Sequence, residues 1–367
     1  MNVLILANKS TGLYKFRGEL LETLVARGHQ VYLSVPNGDF IAEMQQMGCH
    51  FIETEISRHG VNPFTDLALV KKYCSIIKSV KPDIVFTYTI KPNVYGGIAC
   101  QICKVPYVAN VTGLGTAVEN KGLLQKITLT LYKTGLRKAK RVFFQNQKNQ
   151  QFMLEHGVVK GAYSLLPGSG VNLDRFSPLP YPDENNGIHF VFISRIMREK
   201  GIDQYLEAAK YFKSKAAEPA EAPVFHICGF CEKEYQGELD ELIAKGVVEY
   251  HGMVRDVREI LKDAHCTIHP SFYPEGLSNV LLESSACARP IITTDRSGCK
   301  EVVVDGVNGF VVKQRDSADL IQKIERFIAL PYEEKMKMGL AGRAKVEREF
   351  NRQIVVDAYL KEMENLK

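Results

Sequence analysis

Short apolar runs rich in β-branched residues alternate with stretches of helical spacing along most of this sequence. The first five runs are VLILA at 3–7, VYLSV at 31–35, DIVFTYT at 83–89, YVANV at 107–111 and RVFFQN at 141–146. Short apolar runs separated by helices are typical of parallel strands that are buried on both faces. The alternation therefore predicts an α/β fold built on doubly wound parallel sheets.

The alternation stops once, at residues 165–187, and then resumes. The segment LLPGSGVNLDRFSPLPYPDENNG is rich in Pro, Gly and Asn and has no helical period, as expected of a linker between domains. Six further strand-like runs follow, at 189–195, 224–229, 248–252, 266–271, 290–295 and 309–313. We predict two Rossmann-like domains, at 1–166 and 167–351, with a cleft between them. Because ligands of such sheets bind at the carboxyl ends of strands, the turns after strands hold the candidate functional residues.

The net charge of +5 hides an asymmetry between the two halves of the chain. Residues 1–170 contain 20 Lys and Arg against 10 Asp and Glu, whereas the remainder contains 27 against 32. A basic first half favours an anionic partner, which is a nucleic acid, a membrane surface or a phosphorylated ligand.

The sequence also limits where the protein resides and which metals it uses. No apolar run approaches the roughly 18 residues of a membrane span, and MNVLILANKS lacks the basic start and the cleavage site of a signal peptide. We therefore expect a cytoplasmic protein with reduced thiols. The CxxC pairs Cys100/Cys103 and Cys228/Cys231 lie far apart in the chain, and no metal site is expected from them.

Two turns place a glycine or a pair of cations directly after a strand. In ANKSTGLYKF, Gly12 lets the backbone approach a ligand and a helix N-terminus follows, although G-x-G-x-x-G is absent and a plain tight turn remains the alternative. In ISRIMREKG, Arg195 ends a strand, and Lys200 and Gly201 follow. Two cations in this position suit a diphosphate, although by themselves they fit a solvated charge pair equally well.

The turn PEGLSNVLLE at 274–283 places an acid on each side of a predicted helix start. A helix that begins near Leu277 or Ser278 would offer free N–H groups to a phosphate. Glu275 precedes that helix and Glu283 lies nearly two turns inside it, and both carboxylates suit hydroxyl donors. The alternative is one acid that complements the helix dipole and one surface glutamate.

A fourth turn follows the strand at 290–295. Gly298 and Glu301 are predicted to lie in a turn and at a helix start, and DGVNG is predicted to form a turn before the last strand. Asp305 and Gly309 are interpreted as structural residues of that turn.

The order and spacing of these residues resemble the second domain of family-4 retaining glycosyltransferases of the GT-B architecture. The matching pattern is Arg195-x4-Lys200-Gly201, then Pro270-Ser271 followed by Glu275-Gly276 and Glu283, then Gly298-x2-Glu301. Pro274 is an extra residue before Glu275. The segments 57–64, 90–97, 110–116 and 166–176 are similar to enzymes that elongate lipid-linked glycans for bacterial capsule, O-antigen or glycoprotein assembly.

The resemblance implies a retaining hexosyltransferase that moves a hexose or an N-acetylhexosamine from a nucleotide-sugar, with UDP as the expected nucleotide, to a polyprenyl-diphosphate-linked saccharide. It implies a donor-binding second domain, an acceptor-binding first domain, and a last helix at 352–367 that crosses back to the first domain. The implied catalytic residues are Arg195, Lys200 and Glu275. The implied donor-binding residues are these two cations with Gly12, Gly276, Leu277, Ser278, Asn279 and Glu283.

The implied acceptor side belongs to the first domain and comprises Lys15, Arg17, Arg58, Lys91, Thr112 and Gly113. Many relatives carry a histidine after the strand that here ends in NVTGLG, where this chain has Thr112 and Gly113. The chain contains no D-x-D, so we expect no metal and no other cofactor, and the two cations of the second domain must neutralise the diphosphate.

The segment NKGLLQKITLTLYKTGLRKAKR at 120–141 has helical spacing and a basic stripe formed by Lys126, Lys133, Arg137 and Lys140. On the predicted wheel the opposite face carries Leu124, Ile127, Leu131 and Ala139, and Leu123, Leu129 and Leu136 flank the stripe. This pattern predicts a helix that docks on an anionic membrane at the inner face of the cell membrane, with a solvated face as the alternative. Nucleic acid is not expected, because no aromatics interleave with the charges.

Two other functions remain open on the sequence. A GT-B-type UDP-sugar 2-epimerase would need catalytic acids and a histidine in the cleft. A non-catalytic nucleotide-sugar-binding subunit would retain the fold without the full set of charged residues. Transfer requires both a nucleotide-sugar and an acceptor, epimerisation requires only the nucleotide-sugar, and a binding subunit releases no UDP.

Overall fold

The computed structural model describes residues 1–56, 63–114, 118, 122–185, 187–218 and 222–366. The contacts divide the chain into two compact units. The first unit comprises Met1–Gly170, Pro274–Leu277 and Arg352–Lys367, and the second comprises Val171–Tyr273 and Ser278–Asn351.

The first unit contains a parallel sheet of seven strands in the described part of the chain, in the order β3-β2-β1-β4-β5-β6-β7. The strands are β1 (Asn2–Leu6), β2 (Gln30–Val35), β3 (His50–Glu53), β4 (Ile84–Tyr88), β5 (Tyr107–Val111), β6 (Arg141–Phe144) and β7 (Tyr163–Leu165). The helices are α1 (Ser10–Ala26), α2 (Ile41–Gln46), α3 (Pro63–Val80), α4 (Gly97–Cys103), α5 (Leu123–Leu136) and α6 (Gln147–Glu155), with a π-helical turn at Pro92–Gly96. All five predicted strands are present, and β3 and β7 are strands that the sequence pattern did not indicate.

The second unit contains a parallel sheet of six strands, again counted over the described residues, in the order β10-β9-β8-β11-β12-β13. The strands are β8 (His189–Ile193), β9 (Val224–Cys228), β10 (Glu249–Tyr250), β11 (Cys266–His269), β12 (Ile291–Thr294) and β13 (Gly309–Val312). The helices are α7 (Ile202–Lys215), α8 (Gln236–Ala244), α9 (Arg258–Leu261), α10 (Asn279–Ala286), α11 (Ser317–Ile328) and α12 (Tyr332–Glu349). Every strand predicted for the second series is found.

Both sheets share the doubly wound order in which the third, second and first strands are followed by the fourth, fifth and sixth. The direction of winding reverses between β1 and β4 in the first sheet and between β8 and β11 in the second. In open parallel sheets, the crevice at such a switch point is where ligands bind. The predicted α/β fold with two Rossmann-like domains is therefore confirmed. In each unit, a ligand is expected at the switch point, which lies between β1 and β4 or between β8 and β11.

The first sheet is covered on both faces. Alternate residues of β1 point to opposite faces, so that Val3 and Ile5 pack against α1 while Leu4 and Leu6 pack against α3. The last helix, α13 (Arg352–Glu364), packs beside α1 and contributes Tyr359 to the core. The final helix of the chain is thus part of the first unit.

The segment Pro274–Leu277 belongs to the first unit by its contacts, although the sequence analysis had placed it in the second domain. The Asn146 side chain donates hydrogen bonds to the carbonyl oxygens of Glu275 and Gly276, at 3.0 and 2.6 Å. These backbone contacts hold the segment, and chain position alone does not reveal them.

Candidate functional site

Two cations lie at the switch point of the second unit. Arg195 follows β8, and Lys200 ends the 3₁₀ turn Arg198–Lys200. The Arg195 Cζ lies 5.8 Å and the Lys200 Nζ lies 4.9 Å from the centroid of the Tyr273 ring, which follows β11. The structure therefore brings both predicted cations to one aromatic side chain, where they concentrate positive charge at the carboxyl ends of β8 and β11.

The turn that carries Lys200 is fixed against the segment after β11. The Phe272 amide donates a hydrogen bond of 2.9 Å to the Glu199 carbonyl oxygen. Gly201 adopts a left-handed backbone, with φ +79°, and a Cβ at this position would lie 2.1 Å from the carbonyl oxygen of Pro270. Only glycine permits this approach, so the Lys200-Gly201 pair predicted from the sequence has a structural reason as well as a chemical one.

The start of α10 differs from the prediction in one important respect. The helix begins at Asn279 with Ser278 as its N-cap residue, close to the predicted start. The Ser278 amide, however, donates a 2.7 Å hydrogen bond to the Gly298 carbonyl oxygen, so it does not point at a phosphate as expected. The Oδ1 atom of Asn279 is buried and accepts no hydrogen bond from the described residues, so the helix start retains an acceptor that is unused within the protein. Glu283 lies half-buried in the next turn.

The turn at 296–301 contacts the start of α10 through a backbone hydrogen bond. No helix begins at this turn, contrary to the sequence prediction. The Glu301 carboxylate accepts hydrogen bonds from the Ser297 hydroxyl at 3.0 Å and from the Gly298 amide at 2.7 Å. Because the Gly298 carbonyl in turn accepts the Ser278 amide, Glu301 positions the beginning of α10. The Glu301 carboxylate therefore makes hydrogen bonds within the protein that hold this turn.

The DGVNG turn is structural. The Val311 amide donates to the Asp305 carboxylate at 2.8 Å. A Cβ on Gly309 would lie 1.9 Å from the Ile291 carbonyl oxygen, so the strand pairing requires glycine there.

At the switch point of the first unit, α1 begins earlier than expected. Its first residue is Ser10, so Gly12 lies in the first helical turn and not in a loop before it. A Cβ on Gly12 would meet no atom within 4 Å, which leaves its backbone accessible. Lys15 is exposed on the same helix, with its Nζ 6.0 Å from the Phe40 ring centroid.

Arg17 is buried between two aromatic rings. Its Cζ lies 5.1 Å from the Tyr88 centroid and 5.9 Å from the Tyr359 centroid. Its Nη1 donates to the Phe16 carbonyl oxygen at 2.6 Å, and its Nε finds no acceptor among the described residues. Burial raises the pKa of the Tyr88 phenol, so a neutral ring lies beside a permanent cation. This buried cation therefore keeps one donor, Nε, that has no partner among the described residues.

The charge of Lys91 is already paired. Its Nζ lies 2.8 Å from the Asp66 carboxylate, which also accepts a hydrogen bond of 2.7 Å from the Tyr95 hydroxyl. Burial, and then the hydrogen bond to Asp66, raises the pKa of Tyr95. Lys91 therefore acts in an internal network more than as an open anion ligand. Arg58, the remaining predicted acceptor-side cation, lies outside the described residues.

Thr112 and Gly113 lie against the segment Pro274–Leu277 within the first unit. A Cβ on Gly276 would be 2.1 Å from the Thr112 carbonyl oxygen, so only glycine allows these two backbone segments to approach. Asn146 completes the arrangement, because its Oδ1 accepts from the Asn149 amide at 2.8 Å and caps α6. Asn146 and Tyr273 were not predicted as site residues. The N-cap position of Asn146 was a signal that the sequence offered. No pattern in the sequence indicated Tyr273.

The helix α5 shows a different face from the one predicted. Its buried residues are Thr128, Tyr132, Gly135 and Leu136. Three apolar side chains are exposed instead: Leu123 to 74%, Leu124 to 53% and Ile127 to 40%. Leu124 and Ile127 had been predicted to pack on the sheet, and Leu136 had been predicted to flank the basic stripe.

The basic stripe is also shorter than predicted. Lys126 and Lys133 are exposed on α5, and Arg137 is exposed at its end. Lys140 lies beyond the helix, where its Nζ donates to the Asn365 carbonyl oxygen at 2.9 Å, so it is not part of the basic stripe on α5. In the part of the chain that the structure describes, no helix combines the length and the apolar character needed to cross a bilayer.

Comparisons with known proteins give the family of each half. Residues 180–345 match the family described as glycosyl transferases group 1, and residues 2–146 match the family described as glycosyl transferase 4-like. The two matched ranges carry the switch points of the two sheets.

Two relatives match over nearly the full length of the chain, and a third matches over about 70% of it. An N,N'-diacetylbacillosaminyl-diphospho-undecaprenol alpha-1,3-N-acetylgalactosaminyltransferase of Campylobacter jejuni is 26% identical, with 98% of each chain covered. A capsular polysaccharide biosynthesis glycosyltransferase, CapM of Staphylococcus aureus, is 24% identical over 96% of this chain and 93% of the relative. A UDP-Gal:alpha-D-GlcNAc-diphosphoundecaprenol alpha-1,3-galactosyltransferase of Escherichia coli is 25% identical over 71% of this chain and 69% of the relative.

Solved structures show the same fold. Anabaena Alr3699/HepE in complex with UDP superposes with a TM-score of 0.80 at 18% identity, with 100% of both chains covered. A glycosyltransferase from Rickettsia africae superposes with a TM-score of 0.82 at 21% identity, over 100% of this chain and 98% of the other.

Proposed function

The chain belongs to the glycosyltransferases, with a 4-like domain in its first half and a group 1 domain in its second, and we propose that it transfers a hexose or an N-acetylhexosamine from a UDP-sugar to an undecaprenyl-diphosphate-linked saccharide in cell-surface glycan synthesis. The observation that carries this proposal is the pair of cations, Arg195 and Lys200, grouped around Tyr273 at the switch point of the second sheet. A nucleoside diphosphate is the ligand whose charge and position this arrangement suits.

The acceptor class is supported by the relatives. The Campylobacter jejuni and Escherichia coli enzymes are both named for a diphospho-undecaprenol acceptor. The Staphylococcus aureus relative is named for capsule biosynthesis. In this chain the buried Arg17 would contribute positive charge at the switch point of the first unit, where the acceptor diphosphate is proposed to bind.

The UDP donor is supported by one relative and one structural neighbour. The Escherichia coli relative is named for UDP-Gal, and the Anabaena structure contains UDP. In this chain Glu283 would bind the ribose hydroxyls of the donor. Asn279, at the start of α10, would also contact the nucleotide-sugar. Glu275 would contact hydroxyls of the donor sugar.

Transfer is proposed to proceed with retention. Both undecaprenol-linked relatives are named for an alpha-1,3 product, and the common UDP-hexoses are α-linked, so an α product corresponds to retained configuration. The acceptor hydroxyl would attack on the face from which the diphosphate departs, and a leaving-group oxygen would take its proton. Arg195 and Lys200 would stabilise the charge that develops on the departing diphosphate, which is the largest contribution expected of such a site.

The first unit is proposed to bind an anionic membrane at the inner face of the cell membrane through α5. The exposed Leu123, Leu124 and Ile127 would enter the interface, and Lys126 and its neighbours Lys133 and Arg137 would meet lipid phosphates, each cation contributing about 1 kcal/mol. Leu124 and Ile127, which had been predicted to pack on the sheet, are exposed beside these cations and add apolar area to the proposed surface.

Sedimentation with liposomes tests the membrane proposal. Changing Lys126, Lys133 and Arg137 to Glu is expected to abolish recovery with anionic liposomes, and high salt is expected to reduce it for the unchanged protein. A control that changes three exposed lysines of α3 (Lys71, Lys72 and Lys78) to Glu alters the net charge equally. Equal effects of the two triple variants would contradict a role for α5.

The transferase proposal is tested by UDP release in the presence and absence of a polyprenyl-diphosphate glycan. Release is expected only when both substrates are present. Arg195→Ala and Lys200→Ala are each expected to reduce turnover by about 10²- to 10³-fold, in line with the loss of one contact to developing charge. Arg198→Ala is the matched control, because its side chain is 76% exposed in the same turn. Release without an acceptor, or near-normal turnover of either variant, would refute these assignments.

A further inference from the structure

Four imidazoles form a ladder across the second sheet. His265 precedes β11, His189 begins β8, His226 lies within β9 and His251 follows β10. Neighbouring rings lie 5.9, 5.1 and 5.1 Å apart between centroids. Glu249, the first residue of β10, lies beside His226 in the sheet register.

The outer end of this ladder lies at the exposed edge of the sheet, on β10. Phe190, Phe225 and Ile227 point to one face of the sheet and pack with α7 and α11. Because side chains alternate along a strand, His226 points the other way. Glu249 and His251 are exposed there, and His226 is half-buried.

Three of these side chains place ligand atoms at distances suited to a metal ion. The Nδ1 atom of His226 lies 3.0 Å from the Nε2 atom of His251 and 3.3 Å from the Oε2 atom of Glu249. All three ligand atoms lie within 4.8 Å of one another. Ligands of a tetrahedral zinc ion with bonds of about 2.0–2.1 Å are separated by about 3.4 Å, so the ion fits with little movement of the side chains.

A hydrogen bond between two imidazoles orients the half-buried His226. The Nε2 atom of His226 lies 2.8 Å from the Nδ1 atom of His189. The His189 backbone amide donates to the Nδ1 atom of His265 at 3.0 Å, and the Nε2 atom of His265 lies 3.1 Å from the Asp183 carbonyl oxygen. With a metal on Nδ1, the His226 Nε2–H donates to His189, which is the arrangement that fixes a metal-bound imidazole.

We propose that His226, Glu249 and His251 bind a divalent transition-metal ion, with Zn²⁺ as the best fit, and that the ion ties the two-residue edge strand β10 to β9. Two imidazoles and one carboxylate favour zinc, cobalt or nickel over magnesium or calcium. The remaining coordination position faces solvent, because two of the ligands are exposed. None of these residues belongs to the proposed donor site, so the ion would act on stability and not on the diphosphate.

The experiment is a titration of the chelator-treated full chain with Zn²⁺, followed by calorimetry, and with Co²⁺, followed by its visible and near-ultraviolet absorption. One equivalent is expected to bind, and the Co²⁺ spectrum is expected to lack a thiolate charge-transfer band. Glu249→Gln and His251→Ala are expected to weaken binding by about tenfold or more, as is the orienting variant His189→Gln, for which about 10- to 100-fold is typical. His156→Gln, at an exposed histidine outside the ladder, is expected to bind normally.

Three results would overturn the proposal. The first is the absence of saturable binding, which would leave the ladder as a set of packed histidine rings. The second is a thiolate band, which would place the metal on cysteines. The third is equal affinity for the His251→Ala and His156→Gln variants. Because the variants change exposed ligands and the readout is metal binding, the outcome does not depend on transferase activity.

Discussion

Replacing Gly201 with alanine tests whether the turn that carries Lys200 must lie against the segment after β11. The added Cβ would lie 2.1 Å from the carbonyl oxygen and 2.6 Å from the carbonyl carbon of Pro270. Both are backbone atoms, so the collision cannot be relieved by rotating a side chain. The turn must move outward, and the hydrogen bond between the Phe272 amide and the Glu199 carbonyl would be lost.

Two contributions set the loss of stability. A left-handed backbone costs a residue other than glycine about 1–2 kcal/mol, and overpacking adds about 1–3 kcal/mol. The free energy of unfolding of the second unit should therefore fall by about 2–5 kcal/mol. Displacement of Lys200 from Tyr273 should also remove its contact with the leaving group, at about 10²- to 10³-fold in turnover.

Gly306 provides the matched control within the same unit. Its φ is +77°, against +79° for Gly201, but a Cβ there would meet no atom within 4 Å. Gly306→Ala should carry only the backbone cost and retain turnover. Urea unfolding followed by circular dichroism, together with UDP release measured below the melting range, separates the two variants. Equal stability losses with normal turnover in both would refute the close approach as the reason for glycine at 201.

Three further predictions follow from the same contacts. Glu283→Ala should weaken binding of UDP alone in calorimetry, whereas Glu275→Ala should leave it nearly intact and reduce transfer; equal loss in both would reverse the roles. Arg352→Ala should destabilise the first unit by about 2 kcal/mol, because it removes two charge-assisted hydrogen bonds to the Glu19 carboxylate, while the exposed Arg348→Ala should change little by thermal unfolding. Burial lowers the pKa of His265 to about 4, so the unfolded chain binds the extra proton and His265 alone should reduce stability by about 3 kcal/mol as the pH drops from 6.5 to 4; His265→Asn should remove that share of the dependence in urea unfolding.

The sequence predicted the fold because the hydrophobic pattern of buried parallel strands is strong and local. Each predicted run became a strand, with ends within a few residues of those expected. The strands β3 and β7 were missed for a physical reason. Both are short edge strands whose side chains are partly exposed, so they lack the apolar run that marks a central strand.

The phase of α5 was predicted wrongly because apolar residues occur around much of the helix. The structure shows what decides the phase. A Cβ on Gly135 would lie 2.6 Å from the Val94 Cα and 2.7 Å from the Val94 carbonyl oxygen, so the helix approaches the Pro92–Gly96 turn through its smallest residue. This close backbone packing places Gly135 on the buried face, and Leu123, Leu124 and Ile127 are left exposed. A wheel weighted by hydrophobicity does not register that preference.

The charged side chains of the candidate site were predicted from the sequence, but the hydrogen bonds of its backbone were not. Arg195 and Lys200 carry a spacing that the sequence displays directly. The hydrogen bond from the Ser278 amide to Gly298, and the role of Glu301 in supporting it, depend on a turn from a later part of the chain. This hydrogen bond joins residues 20 positions apart, and no periodic pattern in the sequence indicates it. The local sequence therefore suggested, wrongly, that the Ser278 amide is free to bind a phosphate.

The proposed metal site also could not be predicted from the local sequence. His226, Glu249 and His251 come together only because of the register in which β9 and β10 pair. His226 and Glu249 share a face because β9 and β10 pair residue 226 with residue 249. A shift of one residue in that pairing would move Glu249 and His251 together to the opposite face. Nothing in the local sequence around His226, or in the spacing to Glu249, fixes this pairing, since β10 has only two residues. Metal binding by these three side chains is therefore a direct test of the register of the edge strand, and saturable binding that requires both Glu249 and His251 would support the pairing as well as the site.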